Sequence, residues 1–194
     1  MIDVLDRILP LLSFRSDDDF YYLQILQRKK ENPQLGSNSR VVKNYYIKSV
    51  GELEALWPEI IALCHQTNAR AMLRLNRRSF RKVAFKTMQN LANLISNEEY
   101  AFARRAYDRA CGDGHNDNEK SWIIDLDGEI EGSYVDQLLK VITESQPIGD
   151  KLIVELPTKN GVHLVVRPFD MRTFRELWPT IDIHKDNPIN LYIP

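Results

Sequence analysis

The chain of 194 residues reads as an α+β protein: a mixed or antiparallel sheet with flanking helices, preceded by a helical N-terminal segment. Three observations predict this class. Hydrophobic residues are 43% and charged residues 27%, ordinary globular values that exclude wholesale disorder and a fibrous protein. Apolar residues recur at helical spacing in some stretches and alternate in others. The alternating stretches gather at 41–75 and again in the last third, with helical pattern between them. One layered domain over residues 40–194, with a helical segment over 1–39, accounts for the length.

The elements follow in order. IDVLDRILPLL has apolar residues at mixed helical spacing, interrupted by Pro10. Asp17, Asp18 and Asp19 suit the first turn of a helix, and FYYLQILQRKK continues it, so residues 1–30 are predicted helical. NPQLGSNS (32–39) has the composition of a loop. VVKNYYI (41–47) is β-branched and aromatic, hence a strand. GELEALWPEIIALCHQTN (51–68) is an amphipathic helix that Pro58 kinks or restarts, and ARAMLRL (69–75) alternates as a strand. Together these have the length of a βαβ unit. Residues 79–110 are helical with a break at Ser96–Asn97, and 111–120 is a polar loop. WIIDLD (122–127) is a strand and YVDQLLKVITES (134–145) a helix. KLIVEL (151–156) and VHLVVR (162–167) form a hairpin around PTKNG. MRTFRELWP is a short helix, TIDIH (180–184) a strand, and INLYIP a last extended piece.

Composition also excludes functions. No apolar run approaches the roughly 18 residues of a membrane helix, and the acidic N-terminus is not that of a signal peptide. Cys64 and Cys111 do not make a disulfide framework, so a soluble, cytoplasmic, reducing setting is expected. Net charge is −1, whereas proteins that coat nucleic acid are usually strongly basic, so any nucleic-acid contact is confined to a local patch. Cys64–His65 and Cys111 with His115 lack the paired spacing of a zinc ribbon or finger. There is no G-x-S-x-G elbow, no phosphate loop and no G-x-G-x-x-G.

Four constellations carry chemistry. In SWIIDLDGE, residues two apart share a strand face, so Asp125 and Asp127 point one way, about 7 Å apart at Cα. Two unpaired carboxylates that close repel, which points to a hard divalent cation such as Mg²⁺ or Mn²⁺; the bland alternative is an exposed strand end turning at Asp127–Gly128. In the hairpin, pairing of Leu156 with Val162 puts Glu155 opposite His163. Leu156, Val162, Val154 and Leu164 then form the core face, and Glu155, His163 and Arg167 the other. Thr158, Lys159 and Asn160 add donors in a turn that can grip an anion. In TIDIH, Asp182 and His184 alternate with Ile181 and Ile183, which makes Asp182 a third acid for the site. Finally RLNRRSFRK places Arg74, Arg77, Arg78 and Arg81, with Arg70, Lys82 and Lys86, where a strand becomes a helix, as the local basic patch for phosphates.

The order of these parts, an h-D-h-D strand, a helix, a hairpin with a polar turn and a His, then a strand with another Asp, resembles the archaeo-eukaryotic primase superfamily. The resemblance spans about residues 40–190. It implies an RRM-like primase-polymerase core in which Asp125, Asp127 and Asp182 hold the catalytic metals. Thr158, Lys159, Asn160 and His163 bind the triphosphate of the incoming nucleotide. Where the family usually carries a Ser-Gly pair before the His, Thr158 and Asn160–Gly161 stand here. The DLDG string is also similar to the haloacid-dehalogenase phosphatase motif, but Glu129 follows the Gly where Thr or Val is usual, and no downstream acidic pair with a lysine is evident.

The resulting expectation is a divalent-metal-dependent nucleotidyltransferase acting on nucleoside triphosphates and nucleic acid. Arg74, Arg77, Arg78 and Arg81 would hold the nucleic-acid backbone, and replication partners are unspecified. The alternatives are a non-catalytic nucleotide- or nucleic-acid-binding protein of the same fold, a metal-dependent phosphohydrolase or nuclease using the same acids, and a partner-binding protein without a site.

Overall fold

A computed structural model describes residues 1–36, 38–113, 119–128 and 132–194. Two antiparallel sheets organise the chain. The first contains β1 (Ile2–Asp3), β10 (Pro188–Ile193), β4 (Arg70–Arg74), β2 (Asp19–Gln27) and β3 (Arg40–Ile47), in that order, with β5 (Arg78–Ser79) pairing β2 beyond β4. The second runs β7 (Leu152–Pro157), β8 (Gly161–Val166), β6 (Trp122–Asp127) and β9 (Asp182–His184). Helices α1 (Leu5–Ile8), α2 (Val50–Thr67), α3 (Phe80–Ser96), α4 (Ala106–Gly112), α5 (Gly132–Glu144) and α6 (Arg172–Leu177) flank them. The α+β class with antiparallel sheets is thus observed. The strand–helix–strand unit at 41–75 is present as β3–α2–β4, but its two strands are separated by β2, which pairs antiparallel to both.

The N-terminal segment is the main correction. FYYLQIL is a strand, not a helix, and it lies inside the first sheet between β3 and β4. Helical turns in this segment are confined to α1 and a 3-10 turn at Leu9–Leu11 around Pro10. The physical reason is burial on both faces. Tyr21, Leu23 and Ile25 enter the core beneath α1 and α2, while Phe20 and Tyr22 pack with Val83 and Ala110 on the opposite face. A strand covered on both sides reads as a continuous apolar run, which carries no period to distinguish it from a buried helix. Residues 1–39 are therefore part of the sheet, not an appendage to it.

The main core joins the odd-numbered face of β2 to α1 and α2, and Ile123, Leu156 and Val165 of the second sheet complete it. The second sheet's other face, with Ile124, Leu126, Leu164 and Val166, is covered by Leu138 and Ile142 of α5 and Phe174 of α6. So one face of the second sheet is roofed by helices and the other looks toward the first sheet. Pro58 lies within α2, whose assigned span runs unbroken from Val50 to Thr67. The chain returns after β9, and β10 inserts between β1 and β4. No helix among the described residues is long and apolar enough to cross a membrane.

Candidate functional site

Strand alternation decides which residues share the face toward the first sheet. Ile124 and Leu126 point into the helical layer, so Asp125 and Asp127 point the other way with Ile123. Register then selects their neighbours. Asp125 is paired with His163 of β8 on one side and Asp182 of β9 on the other. Three predicted site residues therefore stand abreast on adjacent strands. Asp127 lies opposite Gly161, at the open end of β6. His184, paired with Ile123, joins the same face one row back. The sequence pattern already placed His184 beside Asp182, but a one-strand reading gave no reason to bring it near Asp125.

His163 is mostly buried, and its Nε2 lies 3.2 Å from Asp125 Oδ1. Burial holds the imidazole below the ordinary histidine value; Asp125 opposes that shift and the nearby His184 adds to it. Nε2 is the ring nitrogen directed at the Asp125 carboxylate. Asp127 and Asp182 are exposed.

The expected hairpin register is off by one. Leu156 pairs with His163 and Glu155 with Leu164, so Glu155 is not the partner of His163. Pro157 pairs with Val162, which leaves residues 158–161 in the turn, closed by Thr158 N–H donating to Gly161 O at 2.9 Å. A loop one residue shorter than PTKNG moves Val154, Glu155 and Leu156 to the other face, and an irregularity between Leu152 and Val154 returns Leu152 to Val166 on the helix-covered face. Leu156 and Val154 thereby face the first sheet, whereas Val162 and Leu164 face α5 and α6. The turn itself is fastened beside the acids, because Gly128 N–H donates to Asn160 O at 2.7 Å. Lys159 and Asn160 are exposed there and Thr158 is half-buried. So Thr158, Lys159, Asn160, His163, Asp125, Asp127 and Asp182 are brought to one end of one sheet face.

The arginine reading is not favoured by the structure. Arg78 is fully buried and donates to Cys111 O, Asn76 O and Asp186 Oδ2. Arg77, also buried, donates to Ser13 and to Glu119 Oε2 at 2.8 Å. Arg74 donates to Asp186 O, and Arg70 grips Glu31. These guanidiniums bind the chain to itself instead of facing solvent. Arg81 is exposed in the first turn of α3. A mixed zinc site finds no support either. Cys64 and Cys111 are buried in different clusters on opposite faces of the first sheet, and burial pushes their thiols up to about 11 and about 12. His65 Nε2 lies 2.8 Å from Tyr192 Oη, and His115 lies outside the described residues.

The three carboxylates are hard oxygen donors, the type that Mg²⁺ and Mn²⁺ take. Among the described residues, however, no three His, Cys, Asp or Glu side chains form a ready-made metal group. The donor chemistry fits a hard cation held by one or two carboxylates and completed by water and phosphate oxygens, not one caged by protein alone. Compared with protein-family models, curated proteins and solved structures, the chain matches none.

Proposed function

We propose that the protein is a divalent-metal-dependent nucleotidyltransferase of primase-polymerase type, acting at the acidic face of the second sheet. One observation carries the reading: His163 and Asp182 flank Asp125 in register on neighbouring strands, with Asp127 and the 158–160 turn at the same open end. Asp125, Asp127 and Asp182 would hold the cations. When bound, such cations lower the pKa of an attacking hydroxyl and neutralise charge on the leaving pyrophosphate. The chain's own groups bind and orient. His163 steadies the Asp125 carboxylate through Nε2. Lys159 supplies a positive charge, and Thr158 and Asn160 supply donors, for the triphosphate.

Thermal melting with Mn²⁺ and nucleoside triphosphates tests this on wild type and on Asp125→Ala/Asp127→Ala. Ligand at 100 times its dissociation constant stabilises by about 2.7 kcal/mol, enough to raise the midpoint several degrees. The expected result is a rise that needs metal and triphosphate together and disappears in the double variant, followed by primer extension in the wild type alone. No rise with any triphosphate, or an equal rise in the variant, overturns the reading. A rise with metal and a phosphoester but no triphosphate would instead identify a hydrolytic enzyme using the same acids.

A further inference from the structure

The far side of the first sheet holds a second cleft, of about 850 Å³, between the sheet's outer face and the 3-10 turn Tyr100–Arg105 with α4. Its floor is polar: Gln24 and Asn44 stand opposite each other on β2 and β3, and Gln24 Nε2 donates to Asn44 Oδ1 at 3.1 Å. Its rim carries Arg40 on one wall and Arg104, Arg105 and Arg109 on the other. All four are exposed. None pairs with a carboxylate among the described residues, in contrast to Arg70, Arg77 and Arg78, which are consumed inside the fold. Two acids line the cleft, Glu99 and Asp108, and Asp108 already accepts the Tyr46 hydroxyl at 2.7 Å. Phe102 is 48% exposed at the rim, with the Arg105 guanidinium 5.8 Å from its ring centre.

We propose that this cleft binds single-stranded nucleic acid, with Arg40, Arg104, Arg105 and Arg109 on the phosphates and Phe102 as a stacking face for a base. Four guanidiniums on two walls exceed what one phosphate engages, whereas a strand presents phosphates in succession. An exposed aromatic among arginines suits unpaired bases, because every base has a π-face and a duplex hides it. Gln24 and Asn44 below offer amides to whatever enters. The site is independent of the acidic face, since Tyr22, Gln24, Asn44 and Tyr46 lie on the opposite side of the first sheet from Leu23, Ile25 and the second sheet.

Fluorescence anisotropy with labelled 15-mers of oligodeoxythymidine and oligouridine, in EDTA so that no cation assists, tests the proposal. The full chain is expected to bind at least one of them more tightly than a duplex of equal length. Arg104→Ala/Arg105→Ala should weaken binding at least tenfold and flatten the salt dependence by roughly 0.7 in log–log slope per lost phosphate contact. Phe102→Ala should weaken it about tenfold with the slope unchanged. Asp125→Ala/Asp127→Ala should bind as wild type, which separates this cleft from the acidic face. Failure to bind either strand, wild-type binding by the arginine variant, loss of binding only in the aspartate variant, or equal competition by inorganic triphosphate each overturns the proposal.

Discussion

Asp18 belongs to an acidic run that suits a helix start, and it does hold one, but the helix is α3. Its Oδ2 accepts the Ser79 hydroxyl, its Oδ1 accepts Arg81 N–H at 2.8 Å, and its carbonyl accepts Phe80 N–H at 2.9 Å. Ser79 caps the helix in turn by accepting Lys82 N–H at 3.1 Å. The Ser79 hydroxyl first, and the Arg81 amide second, hold the Asp18 carboxyl below its ordinary value of 3.8. A carboxylate depressed in the folded state contributes stability that is present above that ordinary value and is lost as pH falls through the depressed one. Asp18→Asn should therefore lower the melting midpoint at neutral pH and flatten its decline below about pH 3.8; parallel acid profiles would contradict the assignment. Ser79→Ala should cost about 1 kcal/mol in urea unfolding. Gly161 is held by a different constraint. A Cβ there would sit 1.9 Å from Leu126 O, because β8 meets β6 closely beside Asp127. Gly161→Ala should cost about 3 kcal/mol by urea unfolding, since backbone has to move to relieve the overlap; a loss under about 1 kcal/mol would show the strands part freely.

Strand β2 shows why an element's type can be hidden when its existence is plain. DFYYLQILQ is apolar and aromatic enough to be structured, yet both of its sides are covered, so the alternation that marks β3 and β4 is absent. Its amides at 21–26 are expected among the slowest to exchange with deuterium, because they sit between two paired strands. Leu23→Ala should cost about 2–5 kcal/mol. Leu177→Ala on α6, 55% exposed, should cost within about 0.5 kcal/mol. Comparable losses at the two positions would mean that β2 is not central. The hairpin is the opposite case: β7 and β8 were legible as strands, but their register was not. It turns on whether four or five residues make the bend, and a single-residue slip exchanges the two faces.

Across the molecule, both ends of the chain converge on the first sheet, where Ile2 pairs with Ile193 and β10 lies against β4. The second sheet hangs between them and is tied back by a polar joint. Asn76 Nδ2 donates to Ser121 O at 3.1 Å and Lys185 O at 3.0 Å, and Arg78 reaches Asp186 at 2.6 Å. Deleting residues 1–39 should abolish cooperative melting, because β3 and β4 lose the strand between them; a folded 40–194 fragment would refute this architecture. Arg78→Ala should cost about 3–5 kcal/mol, since it leaves the Cys111 and Asn76 carbonyls without their guanidinium donor in the interior and takes from Asp186 the closer of its two arginines. A variant as stable as wild type would return Arg78 to the surface role its neighbours in sequence suggest. What local order in the chain carried was the α+β class, helices α2, α3 and α5, and the placement of Asp125 and Asp127 on one strand face. These follow from side-chain period, which is set by backbone stereochemistry within a few residues. What the tertiary fold alone decided was that His163 and Asp182 border Asp125, that Leu156 rather than Glu155 faces His163, and that Arg77 and Arg78 lie inside while Arg40, Arg104, Arg105 and Arg109 share an open cleft. Each depends on pairing and burial between residues far apart in the chain, and no local period encodes which partner fills the other side.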